Sequence, residues 1–185
     1  FLDEIVAKLL SIRKIKREDV KSFLEPSIKN ILPNPFILKD MDKAIQRTIV
    51  AIKNKEKIGI FGDYDVDGAT STAILGQHFR SLKIDFEIYI PDRKSEGFGP
   101  NEKAFSEFIA KKVNLIFTVD CGTLSFEPMA YAKNRNVDVI ILDHHQSEIQ
   151  LPNAHSIVNP NRFDDQSELN YLCAAGVCFL FLIAL

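Results

Sequence analysis

The central part of this chain alternates short apolar segments with helical ones. The order from Lys57 onward is a strand over 57–62, a helix over 69–82, a strand over 84–90, a helix over 101–111, a strand over 114–120, a helix over 126–134 and a strand over 137–143. Strands separated by crossover helices form parallel sheets whose two faces are both covered. The sequence therefore predicts an α/β fold with a parallel β-sheet and helices on both faces.

The segments on either side of this alternation complete the predicted organisation. Apolar residues at helical spacing, followed by a connector that contains two prolines, predict a helical N-terminal arm and connector over residues 1–40. Residues 41–185 then form the α/β domain, which opens with a helix capped by Asp42. The stretch after Asp143 is rich in loop-forming residues, and a last apolar helix begins at about Cys173.

Composition limits the class of protein. The 185 residues carry a formal charge of −2, so the chain lacks the basic surface that holds nucleic acid by charge alone. Three cysteines without zinc-like spacing predict reduced thiols. The first residues resemble no signal peptide, and the uncharged segment 169–185 is shorter than the roughly 20 residues that span a bilayer. We therefore expect a cytoplasmic protein with no membrane partner.

Polar motifs directly follow three of the predicted strands. They are Gly62-Asp63-Tyr64-Asp65-Val66-Asp67-Gly68, Thr118-Val119-Asp120-Cys121-Gly122 and Leu142-Asp143-His144-His145. Because parallel strands end along one edge of an open α/β sheet, these acids and imidazoles should converge there. Carboxylates packed so closely repel one another unless a cation lies among them. The motifs therefore predict a metal site suited to phosphate chemistry.

The first motif has two other interpretations. Asp-x-Asp-x-Asp-Gly also begins a calcium-binding EF-hand loop, but that loop needs a preceding helix and a glutamate where this chain has Ile74. A solvated acidic loop is the plainer alternative. It is less attractive because Asp120 ends a buried strand, where a carboxylate is unfavourable unless it is paired or bound to a metal. For Asp120 alone, a helix-capping role stays open.

Imidazoles and carboxylates together limit the choice of metal. His144 and His145 directly follow a strand, so both side chains can point into the same crevice at the carboxyl end of the sheet. Oxygen-rich ligands with one imidazole suit Mn²⁺ or Mg²⁺ better than Zn²⁺. A neighbouring carboxylate such as Asp143 can orient an imidazole ligand. His78 and His155 have no such neighbours and are interpreted as ordinary helix-face and loop histidines.

Three further features predict contacts with a phosphate-bearing substrate. The helix beginning near residues 69–71 would direct its amide groups and Ser71 toward the same edge, although simple capping explains Ser71 equally well. Gly122 allows the backbone to approach a phosphate closely. Arg93 lies in a loop with two glycines directly after a strand, which is also compatible with a solvated turn.

These motifs, in this order and at this spacing, resemble those of the DHH phosphoesterase superfamily. Four flanking segments resemble those of the superfamily's single-strand-specific 5′→3′ exonucleases. These segments are 35–41, 95–101, 157–161 and 173–177. The resemblance implies a Rossmann-like domain and a centre of two Mn²⁺ or Mg²⁺ ions. The implied metal ligands are Asp63, Asp65, Asp67, Asp120 and His144. Asp120 would bridge the ions, Asp143 would orient its neighbour, and His145 would face the scissile phosphate.

The resemblance also implies an activity. It is hydrolysis of phosphodiester bonds in single-stranded DNA, in DNA repair and recombination, with other repair or replication proteins as partners. Two alternatives stay open: a small-substrate phosphoesterase acting on pyrophosphate, cyclic dinucleotides or oligonucleotides, and a non-catalytic replication or repair scaffold. Because the family's fourth metal-ligating Asp lies beyond the matched segment, we expect a piece truncated at its C-terminus that binds metal weakly and cleaves poorly or not at all on its own.

Overall fold

The structure is a computed structural model that describes residues 2–185. The chain divides into a first unit that ends at Asn34 and a second unit, Pro35–Leu185. The first unit contains α1 (Glu4–Ile12), α2 (Val20–Leu24) and α3 (Ile28–Ile31). Asp3 caps α1, since its carboxylate accepts a hydrogen bond from the amide of Ile5. The prediction of a helical N-terminal segment is confirmed.

The second unit is built on a five-stranded sheet. Its strands are β1 (Ile58–Gly62), β2 (Phe86–Tyr89), β3 (Leu115–Val119), β4 (Asp138–Leu142) and β5 (Ser156–Val158), in the order β2-β1-β3-β4-β5. All neighbouring strands run parallel, which confirms the predicted α/β fold. Strand β5 lies in the stretch that the sequence predicted to be loop, because three residues are too few for an apolar pattern to appear.

Five helices complete this unit. They are α4 (Met41–Lys53), α5 (Val66–Ser81), α6 (Glu102–Ala110), α7 (Phe126–Lys133) and α8 (Ala174–Ala184). The prediction that Asp42 caps α4 is wrong: Asp40 occupies the cap position, and Asp42 lies in the first turn, where its charge favours the helix dipole. No helix among residues 2–185 combines the length and apolar character that a membrane span requires.

Helices cover both faces of the sheet. Ile58 and Ile60 of β1 pack into a cluster with α4, α5 and α8, whereas Phe61 packs into a second cluster with α6 and α7. This split follows from the alternation of side chains along a strand. Because both faces are buried, β1, β3 and β4 read as nearly continuous apolar runs. Polar groups therefore gather at the carboxyl ends of the strands, beyond the buried faces.

Candidate metal centre

The strand order places the three motifs around one crevice. The chain lies on one side of β1 when it forms β2 and on the other side when it forms β3 and β4. The loops that follow β1 and β3 therefore diverge, and such switch points are where open α/β sheets bind ligands. The first motif follows β1, the second follows β3 and the third follows β4.

A tight turn holds the first two aspartates after β1. Asp63 is 4% exposed, and burial raises the pKa of its carboxyl group. Asp65 caps α5 by accepting hydrogen bonds from the amides of Asp67 and Gly68, at 2.8 and 3.0 Å, and the Gly68 bond is the main reason its pKa is lowered. A Cβ on Gly68 would lie 2.5 Å from the carbonyl oxygen of Asp63, so only glycine fits this turn.

Asp120 lies at the centre of the site. It is 1% exposed and has a left-handed backbone conformation, with φ of 60°. Its buried Oδ1 atom accepts no hydrogen bond. Burial, followed by the charges of Asp67 and Asp65, raises the pKa of Asp120 to about 8. Nε2 of His144 lies 3.3 Å from this oxygen without forming a hydrogen bond. A buried carboxylate oxygen that accepts no hydrogen bond is the kind of group that a cation satisfies.

Two sets of ligand atoms share Asp120. One contains Asp63, Asp65 and Asp120, and the other contains Asp120, His144 and His145, with the atoms of each set within 4.8 Å of one another. Carboxylate oxygens with imidazole nitrogens fit Mn²⁺, and carboxylate oxygens also fit Mg²⁺. The donor set and the unsatisfied oxygen of Asp120 therefore both fit a divalent cation.

Asp67 has a different environment from the other predicted ligands. Its two oxygens accept hydrogen bonds from the amides of Ala174 and Ala175, each at 2.8 Å, at the start of α8. The Nε2 atom of His144 lies 3.5 Å from Asp67 and 3.3 Å from Asp120. Asp67 therefore borders the site while it holds the amino end of a helix.

Asp143 organises the third motif. It is 1% exposed and accepts hydrogen bonds from the amides of Thr123 and His144, at 3.1 and 2.7 Å. Its Oδ1 atom also lies 2.7 Å from Nδ1 of His145. Burial alone would raise the pKa of Asp143, but the bonds from His145 and Thr123 hold it below its usual value. The same bond to Asp143 raises the pKa of His145 to about 9.

The predicted substrate-binding residues occupy different positions. Arg93 is exposed beside the first motif, with its guanidinium carbon 5.4 Å from the ring centre of Tyr64. Gly122 has φ of 111°, and a Cβ there would lie 2.6 Å from Oγ1 of Thr118. Ser71 is fully buried within α5 and has no surface available to a substrate.

Sequence reasoning did not identify several residues at this edge. Phe98 is 60% exposed, and its ring centre lies 5.8 Å from that of His145. These two side chains line a cavity of about 320 Å³, with Leu124 and Gly122 on its other walls. A lone phenylalanine in a glycine-rich loop carries no periodic signal, so only the fold shows that it lies near the histidines.

Comparisons with known proteins agree with this fold. The single-stranded-DNA-specific exonuclease RecJ of Bacillus subtilis (strain 168) is 40% identical over 152 residues, which are 82% of this chain and 19% of that protein. A crystal structure of exonuclease RecJ bound to manganese has a TM-score of 0.71 at 33% identity and covers 78% of this chain and 37% of that one. RecJ from Thermus thermophilus in complex with Mn²⁺ has a TM-score of 0.64 at 29% identity, over 78% of this chain and 20% of that one.

This chain spans only 19% of the length of the Bacillus subtilis relative. A family model described as the DHH family, N-terminal domain, matches residues 57–184. The matched range runs from the residue before β1 to the end of α8 and includes all three motifs. The chain therefore belongs to the DHH family.

Proposed function

We propose that this chain carries the metal-dependent active site of a 5′→3′ exonuclease that hydrolyses single-stranded DNA. The observation that carries the proposal is the buried, unsatisfied Oδ1 atom of Asp120, which two sets of ligand atoms share. Further support comes from relatives named as single-stranded-DNA-specific exonucleases and from RecJ structures that contain manganese. Asp63, Asp65, Asp120 and His144 would hold the ions, and Asp67 would border them.

The residues of the chain have distinct roles in this mechanism. Bound Mn²⁺ or Mg²⁺ would neutralise charge on the phosphate and favour deprotonation of an attacking water. Asp143 engages Nδ1 of His145, which leaves Nε2 as the nitrogen available to a substrate. Because the pKa of His145 is raised to about 9, its ring is protonated at neutral pH in the metal-free chain. In this protonated state, Nε2 of His145 would donate a hydrogen bond to a phosphate oxygen.

The walls of the crevice suit a nucleotide. Arg93 provides a positive charge near Asp63, and its charge acts to lower the pKa of that carboxyl group. The exposed ring of Phe98 lies beside His145, where it can stack against a base. Aromatic stacking favours single strands without sequence preference, at about 1–3 kcal/mol per base. These contacts agree with a single-stranded polynucleotide as the substrate.

Metal binding and cleavage test the proposal together. We expect calorimetry to detect Mn²⁺ binding to the metal-stripped chain, and 5′-phosphorylated single-stranded DNA to be shortened slowly from its 5′ end while blunt duplex is spared. The variant His144→Ala should lose both properties because it removes a ligand beside Asp120. His78→Ala, which changes a histidine near the end of α5, is the matched control.

Other results would favour other functions. Equal Mn²⁺ affinity and cleavage in the His144→Ala variant and the unchanged chain would contradict the site assignment. Faster hydrolysis of dinucleotides than of long strands would indicate a small-substrate phosphoesterase. An unchanged chain that binds no metal would contradict the proposed metal centre and favour the scaffold.

A further inference from the structure

The turn after β5 contacts the backbone of both histidines. Asn159 is fully buried, and its Nδ2 atom donates hydrogen bonds to the carbonyl oxygen of His145 and to Oγ1 of Thr123, both at 2.9 Å. Nδ2 of Asn161 donates to the carbonyl oxygen of His144. Two asparagines of one turn therefore hold two consecutive carbonyl groups of the third motif.

The turn itself is fixed. The Oδ1 atom of Asn159 accepts a hydrogen bond from the amide of Asn161 at 2.8 Å. Arg162, which is 8% exposed, donates to the carbonyl oxygen of Ile157 and to Asp40, the latter at 2.8 Å. A buried guanidinium with an acidic partner is a rigid anchor, because its planar donors fix the direction of each bond. Asn159 and Asn161 therefore belong to a turn that hydrogen bonds hold in one conformation.

Asp143 and the two asparagines restrain the histidines from opposite sides. Asp143 accepts hydrogen bonds from the amides of His144 and His145, at 2.7 and 3.3 Å, while the asparagines hold their carbonyl groups. When both the N–H and the C=O groups of consecutive residues are bonded, their peptide planes cannot rotate freely. The directions of the two Cα–Cβ bonds are then fixed as well.

We propose that Asn159 and Asn161 are positioning residues that fix the His144 and His145 backbone and so direct both imidazoles into the metal site. They touch neither metal nor substrate and act through the histidines. The inference rests on the proposed metal centre for its effect on metal affinity. The hydrogen bonds themselves belong to the metal-free chain and are tested without metal.

Aspartate is the matched replacement for each asparagine. It has nearly the same shape, but an ionised carboxylate cannot donate a hydrogen bond, so the carbonyl groups would face a repelling charge. Asn161 is only partly buried, so Asn161→Asp should fold, whereas Asn159→Asp places a charge in a fully buried position. Asn153→Asp changes an exposed asparagine in the loop before β5 and serves as the control.

The experiment combines two measurements on the 185-residue chain, with thermal melting to verify folding. In metal-free protein labelled with ¹⁵N-histidine, Asn161→Asp should shift the imidazole nitrogen signals of His144 and His145, and Asn153→Asp should shift neither. Mn²⁺ affinity measured by calorimetry should fall at least about tenfold in Asn161→Asp, the lower limit for loss of a residue that orients a ligand. If Asn159→Asp folds, it should show both effects.

Folded Asn161→Asp protein with unchanged imidazole signals would overturn the inference. Shifted signals with an unchanged Mn²⁺ affinity would overturn its second half, the effect on the metal site. Failure of the unchanged chain to bind Mn²⁺ would contradict the proposed metal centre instead, while the imidazole signals would still decide whether the asparagines position the histidines. The two failures are therefore distinguishable.

Discussion

Asp120 combines two features that oppose stability. Its backbone is left-handed, a conformation that costs a residue with a Cβ free energy, and its buried carboxyl group has a pKa raised to about 8. Residues held in this way are typical of functional sites, where the surrounding structure maintains them. The strain at Asp120 is local, because the neighbouring strand residues are regular and buried.

Replacing Asp120 by asparagine separates metal binding from stability. Asparagine tolerates the left-handed conformation and stays neutral. We therefore expect the metal-free variant to melt at a higher temperature than the unchanged chain, by a margin that grows as the pH rises from 3.8 to about 8. The Mn²⁺ affinity of the same variant should fall more than about 100-fold. This loss exceeds the one expected from removing a residue that only forms a hydrogen bond with a metal ligand. Calorimetry and thermal melting measure the two changes.

The control for this prediction is Asp85→Asn. Asp85 has a side chain that is 72% exposed and lies 3.5 Å from Nζ of Lys57, so its replacement should change neither quantity measurably. An Asp120→Asn variant that binds Mn²⁺ as tightly as the unchanged chain would remove Asp120 from the metal site. A lower melting temperature in that variant would show that the charged form of Asp120 stabilises the fold.

At the scale of elements, Asp67 joins α5 to α8. Its carboxylate accepts hydrogen bonds from two amides at the start of α8, those of Ala174 and Ala175, while its own amide donates to Asp65 at the start of α5. Helix α8 has no capping side chain of its own, since Cys173 at the cap position makes no such bond. One residue of the first motif therefore supplies the cap that the last helix lacks.

We predict that Asp67→Ala loosens the start of α8. Losing a cap usually destabilises a protein by about 0.5–2 kcal/mol, and both amides lose their acceptor here. Amide hydrogen exchange at Ala174 and Ala175 should become faster. Exchange of the amides in β3 should accelerate only by the amount that the decrease in the global free energy of unfolding predicts. Asp67→Asn keeps one acceptor oxygen and should give a smaller increase. Unchanged exchange at both amides would contradict the capping role.

The sequence predicted most elements and missed those that depend on distant contacts. Strands β1, β3 and β4 were found because they are nearly continuous apolar runs, whereas β5, Ser156–Val158, was missed because it is short. Helix α5 was predicted from residue 69 but begins at Val66, because Asp65 was interpreted as a ligand and not as a cap. The contact of Asp67 with α8 could not be predicted, since its partners lie 107 and 108 residues away.

The histidine motif shows the same limit at the site. The acids and imidazoles could be found because each directly follows an apolar run, and the fold brings Asp63, Asp65, Asp120, His144 and His145 together. The burial of Ser71 was not visible in the sequence, since a serine near a helix start is compatible with either a cap or a buried position. Asn159 and Asn161 lie in a segment, 157–161, that contributed to the family resemblance, but their role could not be predicted because they act through backbone carbonyl groups.

For the molecule as a whole, the site makes stability depend on pH. The pKa of Asp120 is raised from 3.8 to about 8, and that of His145 from 6.5 to about 9. Between the ordinary and raised values, the folded chain binds more protons than the unfolded chain. Stability must therefore fall as the pH rises through this range, and both groups act in the same direction.

We predict that the metal-free chain melts at a lower temperature at about pH 9 than at about pH 6. Saturating Mn²⁺ should reduce this decrease, because the metal binds the deprotonated ligands of the folded chain. Thermal melts with a chelator and with Mn²⁺ measure both effects, and Asp120→Asn should show a smaller decrease than the unchanged chain. A melting temperature that rises between these pH values without metal would contradict the prediction.

The contact between Asp67 and α8 also constrains the order of folding. Contacts between residues far apart in sequence form late, because the chain must close a long loop before they contribute. The first motif is fixed by amides more than a hundred residues later, so a growing chain that has formed β1 to β4 still lacks the arrangement described for Asp67. We therefore expect Asp67 to take its place beside the proposed metal centre late in folding, when α8 docks.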